Sequence, residues 1–286
     1  MTSIAILGFG VVGGGVADLI TNNYDEVRKL GGDDICIKHI LDLRKFPDSP
    51  FADKVTDDFE KILADGEVSV IIEAMGGSHP AYEYTVAALK AGKSVITSNK
   101  EVVANFGDEF LALAKKNGVS YRFEAAVGGG IPVIRPMSSC LAANELSEVD
   151  GILNGTTNYI LTKMTQEGKD YAEALKEAQA LGYAEANPSA DVDGHDACRK
   201  ICILASLAFG KHVYPAQVHT EGITKITGED VSYAGAADSV IKLIGRVKKQ
   251  DDGTIQCSVG PVVLSKDSQL SSVDDVFNAI MVRGDA

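Results

Sequence analysis

Short apolar runs and stretches of helical periodicity alternate along the first half of the chain. Residues 3–7 form an apolar run of buried-strand type, and residues 14–20 carry helical spacing. Further strands are expected at 35–43, 68–74, 94–97 and 119–126, with helices at 57–63, 81–91 and 102–117. Such alternation predicts an α/β domain with a parallel, doubly wound sheet of the Rossmann type, whose ligands collect at the carboxyl ends of the strands.

After about Ile134 the alternation breaks. The turn Val127-Gly-Gly-Gly-Ile-Pro132, too Gly-rich for regular structure, leads into helical text at 133–143 and a strand at 148–153. Asn154-Gly-Thr-Thr-Asn158 then precedes helices at 159–165 and 171–181. Strands are expected at 212–218, 239–248 and 255–264, the last two joined by the hairpin turn Gln250-Asp-Asp-Gly253. The pattern divides the chain into a doubly wound domain at 1–133 and an α+β domain at 134–286 with a mixed or antiparallel sheet. No Pro/Ser-rich linker separates them, which predicts a tight interface with the site between the two.

The densest chemistry lies at 182–200, GYAEANPSADVDGHDACRK, which crowds carboxylates and cations against the apolar run 201–209. Asp193-Gly194 marks a helix start, and the helix then runs from His195 to Phe209 and stops at Gly210. Asp196 and Lys200 are four apart, acid before base, on one face of its first turns. A helix-start ion pair is the plain reading. The apolar continuation instead puts the charged turns at the mouth of a buried helix, where a lysine beside carboxylates is suited to proton transfer.

Gly8-Phe9-Gly10-Val11-Val12-Gly13 reads G-x-G-x-x-G between a strand and a helix, a dinucleotide fingerprint whose main-chain N–H groups face a pyrophosphate. At the end of the second strand, Asp42 suits the ribose hydroxyls of NAD, whereas Arg44 and Lys45 suit the 2′-phosphate of NADP. The choice between NADP and NAD stays open. Glu73-Ala-Met-Gly-Gly77 and Ser98-Asn-Lys100 fall at the same strand ends, so topology aims Lys100 at the cofactor crevice. Carbonyls of the Gly-rich turn at 127–132 could coordinate a hard cation, and a flexible crossover is an equal reading.

Composition narrows the classes. Among 286 residues, 45% are hydrophobic and 23% charged, an ordinary globular profile. A net charge of −13 without a basic patch argues against nucleic acid. No apolar run reaches membrane-span length, so no membrane partner is expected. The N-terminus enters a strand without a signal-peptide pattern, and five cysteines lack any C-x-x-C pair. These features predict reduced, cytoplasmic thiols, with Cys198 and Cys202 in packing roles and Cys140 structural.

The runs NGTTNYILTKM at 154–164, AGKSVITSNKEVVA at 91–104 and the acidic stretch at 182–200 together resemble the homoserine dehydrogenase family. So does the order GFGVVGGGV, EAMGG, SNK, AAVGGGIP, and the resemblance covers essentially the whole chain. It implies NAD(P)-dependent interconversion of L-homoserine and L-aspartate 4-semialdehyde, in the pathway to threonine, methionine and isoleucine. It also implies a homodimer formed through the sheet of the second, substrate-binding domain. Position by position, Lys200 matches the catalytic lysine and Lys100 the lysine between cofactor and substrate. Glu185 matches the carboxylate for the substrate ammonium, with Asp191 and Asp196 as companions. The main-chain oxygens of Glu124, Val127, Gly129 and Ile131 match a sodium site, and Gly8–Gly13 match the pyrophosphate loop.

Asn187 departs from the family, which often has an acid there. The family normally continues beyond this chain's last residues into a Gly-rich segment and a helix that returns to the first domain. The sequence therefore reads as a fragment or a shortened form, with a loosened cofactor domain expected. A dinucleotide-binding protein without turnover is the alternative function, and the joint presence of Lys100, Lys200 and Glu185 argues against it.

Overall fold

Strand β1 (Thr2–Leu7) carries apolar side chains on both faces and is buried from Ser3 onward. This is the mark of a strand covered from both sides. In the computed structural model, which describes residues 1–285, β1 is flanked by β2 (Ile35–Leu41) and β4 (Val68–Glu73), both parallel to it. The remaining strands are β3 (Val55–Thr56), β5 (Ser94–Thr97) and β6 (Tyr121–Arg122), in the order β3-β2-β1-β4-β5-β6. The chain reverses its direction of travel at β1, so the carboxyl end of that strand is the topological switch point. Helix α1 (Val11–Asn22) lays Ala17 and Ile20 on Ile4, Ile6, Ile37, Ile40 and Phe51. Helices α2 (Tyr24–Gly31), α3 (Phe59–Ala64), α4 (Ala81–Lys90) and α5 (Lys100–Asn117) supply the other connections.

By contacts the chain forms two compact units, Met1–Gly129 and Gly130–Ala286, the last residue lying outside the described ones. In the second unit the sheet order is β11-β7-β9-β10-β8, from β7 (Glu148–Ile152), β8 (His219–Thr220), β9 (Ser239–Lys249), β10 (Ile255–Ser265) and β11 (Ala279–Arg283). All its pairs are antiparallel except β10 with β8. Its helices are α6 (Gly155–Glu167), α7 (Tyr171–Ala180), α8 (Ser189–Val192), α9 (His195–Phe209) and α10 (Gly228–Ala236). Helix α9 buries Ile201, Ile203 and Leu204, each worth about 1.5–3 kcal/mol when removed from water. It crosses β9 at Gly245, where a Cβ would lie 2.9 Å from Leu153 Cδ1 and 3.2 Å from Ile201 Cβ. On β9 the Lys242 ammonium is sealed among Asn158 Oδ1 (3.2 Å), the Val273 carbonyl (2.7 Å) and Asp274 Oδ1 (2.9 Å).

Several expected elements change. The strand at 119–126 shrinks to β6, which pairs with β5 only at Tyr121 and Arg122. Glu124–Ala126 then turns into a 3-10 helix. Residues 133–143 contain a π-helical turn at Pro136–Cys140, closed by Leu141 N–H donating to the Pro136 carbonyl at 3.0 Å. Cys140 is exposed on that turn rather than packed. The strand expected at 212–218 is absent: Pro215 cannot donate to a ladder, and a 3-10 turn at Pro215–Gln217 precedes the two-residue β8. Helix α6 starts four residues before the expected 159, at Gly155, because Asn154 caps it. Lys100, placed in a loop by the sequence pattern, is the first residue of α5. Helix α10 was not anticipated, although Thr227 and Asp230 form a capping box there.

Candidate active site

Helix α9 enters through Gly194 at φ 84°, where a Cβ would press on Thr220 Cγ2 at 3.1 Å. In its first turn Asp196 is buried, and the Lys200 ammonium lies 2.8 Å from its Oδ2. The same ammonium donates to the Leu153 carbonyl at 2.8 Å, at the exit of β7. A buried carboxylate needs such partners, since desolvating it alone is expensive. Asn154 adds two more contacts: its Nδ2 donates to Asp191 Oδ1 at 2.7 Å and to Asp196 Oδ2 at 2.9 Å. Thr156 Oγ1 donates to the Tyr183 carbonyl at 2.6 Å and reaches Asp191 Oδ2 at 3.2 Å. Asp191, Asp196 and Lys200, predicted together, are thus joined in one network. Glu185 stands apart from it, exposed, with its main-chain oxygen accepting from Gln179 Nε2 at 3.1 Å.

Helix α9 also carries two thiols, and the hydrogen bond with Cys202 holds the Cys198 thiol below its usual range, at about 7. Cys198 and Cys202 are buried in α9. The hydrogen bond with Cys198, reinforced by burial, pushes the Cys202 thiol far up, and burial pushes Cys257 up to about 12.

In the first unit, Gly8 at φ 91° brings its backbone so close to β4 that a Cβ would sit 2.9 Å from the Ala74 carbonyl oxygen. A Cβ on Gly13 would lie 1.9 Å from Gly8 O, so only glycine lets α1 begin on this turn. Gly10 has nothing within 4 Å of the same position. The first turn of α1 has neither a side-chain cap nor an acidic residue, and Val11 is 95% exposed. Asp42 accepts from Phe9 N–H at 2.8 Å and grips Arg44 through Nε at 3.0 Å and Nη2 at 2.9 Å. The Arg44 guanidinium, followed by main-chain donors, holds the Asp42 carboxyl well below the usual range. Arg44 also lies 5.2 Å over the Phe46 ring, which meets Phe9 edge-on at 5.0 Å.

At the neighbouring strand ends, Glu73 is fully buried and accepts from Met75 N–H at 2.8 Å and Thr97 Oγ1 at 2.5 Å. Burial pushes its carboxyl up, against the effect of those donors. Thr97 Oγ1 accepts from Asn99 N–H at 2.9 Å, and Asn99 in turn caps α5 and donates to the Gly77 carbonyl at 2.8 Å. Lys100 therefore sits on a helix start whose two flanking loops are laced together. For the cation, Glu124 opens the 3-10 turn, Val127 is buried, Gly129 has φ 57° and Ile131 is partly exposed. Among the described residues no group of three or more His, Cys, Asp or Glu side chains is placed to hold a metal.

Residues 132–286 match the family model for homoserine dehydrogenase, and residues 8–124 match the model for the homoserine dehydrogenase NAD-binding domain. The chain belongs to the homoserine dehydrogenase family. It is 42% identical over 286 residues to the homoserine dehydrogenase of Bacillus subtilis (strain 168), covering 99% of this chain and 66% of that one. A crystal structure of a homoserine dehydrogenase from Thiobacillus denitrificans superposes with a TM-score of 0.95 at 37% identity, covering 99% of this chain and 66% of that one. A hyperthermophilic archaeal homoserine dehydrogenase in complex with NADPH superposes with a TM-score of 0.83 at 29% identity, covering 99% and 88%. The chain spans about two thirds of the length of the curated relatives it matches.

The expected fold holds: a Rossmann-type parallel sheet and a second, mixed sheet. The glycine turn fits a dinucleotide: Gly8 and Gly13 let the turn pack tightly on its own backbone, and nothing lies within 4 Å of a Cβ at Gly10, where a ligand could approach. For this homoserine dehydrogenase relative, sequence reading missed Asn154, Thr156 and the Glu73–Thr97–Asn99 lacing. The N-cap signal of Asn154 before an apolar helix was present in the sequence; its link to Asp191 and Asp196 was not. No helix among the described residues is long and apolar enough to cross a membrane.

Proposed function

We propose that this chain carries the catalytic residues of a homoserine dehydrogenase, interconverting L-aspartate 4-semialdehyde and L-homoserine with NAD(P). The observation that carries the reading is the Lys200 ammonium, held by the Leu153 carbonyl and Asp196 Oδ2, each at 2.8 Å. Two of its three N–H donors are spent in fixing it, and the third is left for a substrate oxygen. In the reducing direction that oxygen gathers negative charge, and a fixed ammonium both stabilises it and supplies its proton. In the oxidising direction the amine takes up the hydroxyl proton. The bound nicotinamide supplies or accepts the hydride.

In the first unit Lys100 is assigned to the cofactor side of the reaction, and the N–H groups of Gly10–Gly13 to the pyrophosphate. Glu185, with Asp191 and Asp196, is assigned to the substrate ammonium. NADP is favoured over NAD: the grip of Arg44 on Asp42 cancels the carboxylate that would repel a 2′-phosphate, and Lys45 adds a cation. Main-chain oxygens of Glu124, Val127, Gly129 and Ile131 are assigned to a sodium ion, and the active form to a cytoplasmic homodimer.

Following NADPH formation with homoserine at alkaline pH tests the activity. Lys200→Ala is expected to lower kcat roughly 100-fold or more, the scale of general acid–base groups. A folded variant that keeps most of its turnover would remove Lys200 from this role.

A further inference from the structure

Asn154 links two carboxylates, Asp191 and Asp196, through one amide. It is buried, at the junction of β7 and α6. Its Oδ1 accepts from Thr157 N–H at 2.9 Å and from Thr157 Oγ1 at 3.0 Å. A backbone N–H can only donate, so the atom facing it must be the carbonyl oxygen, and the amide orientation follows. Both remaining N–H bonds then point at carboxylates, one at Asp191 Oδ1 (2.7 Å) and the other at Asp196 Oδ2 (2.9 Å). That second oxygen is the one that holds Lys200 at 2.8 Å. The preceding residue, Leu153, holds the same ammonium through its carbonyl.

We propose that Asn154 is a positioning residue of the reaction: its amide sets Asp191 and Asp196 in fixed places and, through Asp196, aims the Lys200 ammonium. The proposal rests on the reading of Lys200 as the acid–base group. A helix cap alone does not explain the residue, since capping uses only Oδ1 and Ser or Asp caps about as well. The amide nitrogen is what distinguishes Asn here. It spends both donors on two carboxylates, the buried Asp196 and the half-buried Asp191. With the amide removed, Asp196 loses a donor at the oxygen that steers Lys200, and misplacing a catalytic group by about 1 Å costs on the order of 100-fold.

Asn154→Ser keeps a capping oxygen and removes both N–H donors; Asn154→Asp keeps cap and size but adds a carboxyl. In Asn154→Ser, kcat for homoserine oxidation is expected to fall roughly 10- to 100-fold. The solvent deuterium isotope effect on kcat should rise as proton transfer becomes limiting. Loss of folded enzyme alone would lower the rate and leave that ratio where it was. A readout free of turnover is acetylation of the Lys200 amine by acetic anhydride, measured by mass spectrometry against Lys225, whose side chain is 85% exposed. Lys200 should react several-fold faster in Asn154→Ser than in wild type. If Asn154→Ser melts below the assay temperature, Asn154→Asp carries the isotope-effect comparison. Unchanged isotope effect and unchanged acetylation in a folded variant would reduce Asn154 to a helix cap and overturn the proposal. A wild-type chain that does not oxidise homoserine would defeat the functional reading instead. The acetylation comparison would then still decide whether Asn154 holds Lys200.

Discussion

Asp42 spends its carboxylate on three kinds of donor: the Phe9 N–H of the glycine loop, and the main chain and guanidinium of Arg44. Its depressed titration has a definite sign for stability. The contribution is present above the ordinary carboxylate pKa of about 4 and is lost only as pH falls through the lower folded value. Urea unfolding should therefore show Asp42→Asn destabilised by a constant amount between pH 7 and 5, with the gap closing only below about pH 4. A gap already shrinking between pH 7 and 5 would contradict the assigned cause. For the cofactor, Arg44→Ala is expected to weaken NADP binding roughly tenfold, the loss of one charge-assisted hydrogen bond, and to leave NAD nearly unaffected. Equal NADP dissociation constants for wild type and variant would leave Arg44 only its bond to Asp42. At this scale the sequence revealed Asp42 and Arg44 at a strand end and Lys200 on the early turns of α9. It could not reveal Asn154 as the partner of Asp191 and Asp196, which lie 37 and 42 positions away.

Elements were legible where the chain itself punctuates them. Both ends of α9 were readable because Gly194 and Gly210 take positive φ, as the sequence spacing required. The β9–β10 hairpin was readable through Gly253 at φ 80°. Elements whose existence depends on a distant partner were not: β6 pairs with β5 over two residues only, and residues 212–218 have Pro215 where a ladder donor is needed. The close passage of α9 over β9 at Gly245 is also invisible in sequence. Gly245→Ala should force Leu153 or Ile201 aside, at about 1–3 kcal/mol for an overpacked core. Because Leu153 also holds Lys200, turnover should fall along with the melting temperature. A variant of unchanged stability and rate would mean that the flexible Leu153 tip absorbs the methyl group.

On the scale of the whole second unit, one sheet face shows apolar surface that a dimer would cover. Val263 is 60% exposed on β10, beside a groove lined by Ile226, Tyr233, Ile241 and Pro261. Sedimentation should find the wild-type chain dimeric at micromolar concentration and Val263→Asp shifted to monomer, since a charge on this face costs its full desolvation when covered. An unshifted Val263→Asp dimer would place the contact elsewhere. The groove lies on the same sheet as Lys242, whose sealed amine belongs to a different kind of account. That amine is held by a helix, through Asn158, and by the segment at Val273 and Asp274, while its own strand lies at the centre of the sheet. Fraying at any single edge leaves it covered, and so it meets solvent only in rare openings that separate all three parts together. Where a surface lysine exchanges with every passing fluctuation, Lys242 keeps time by the slowest motion of its unit.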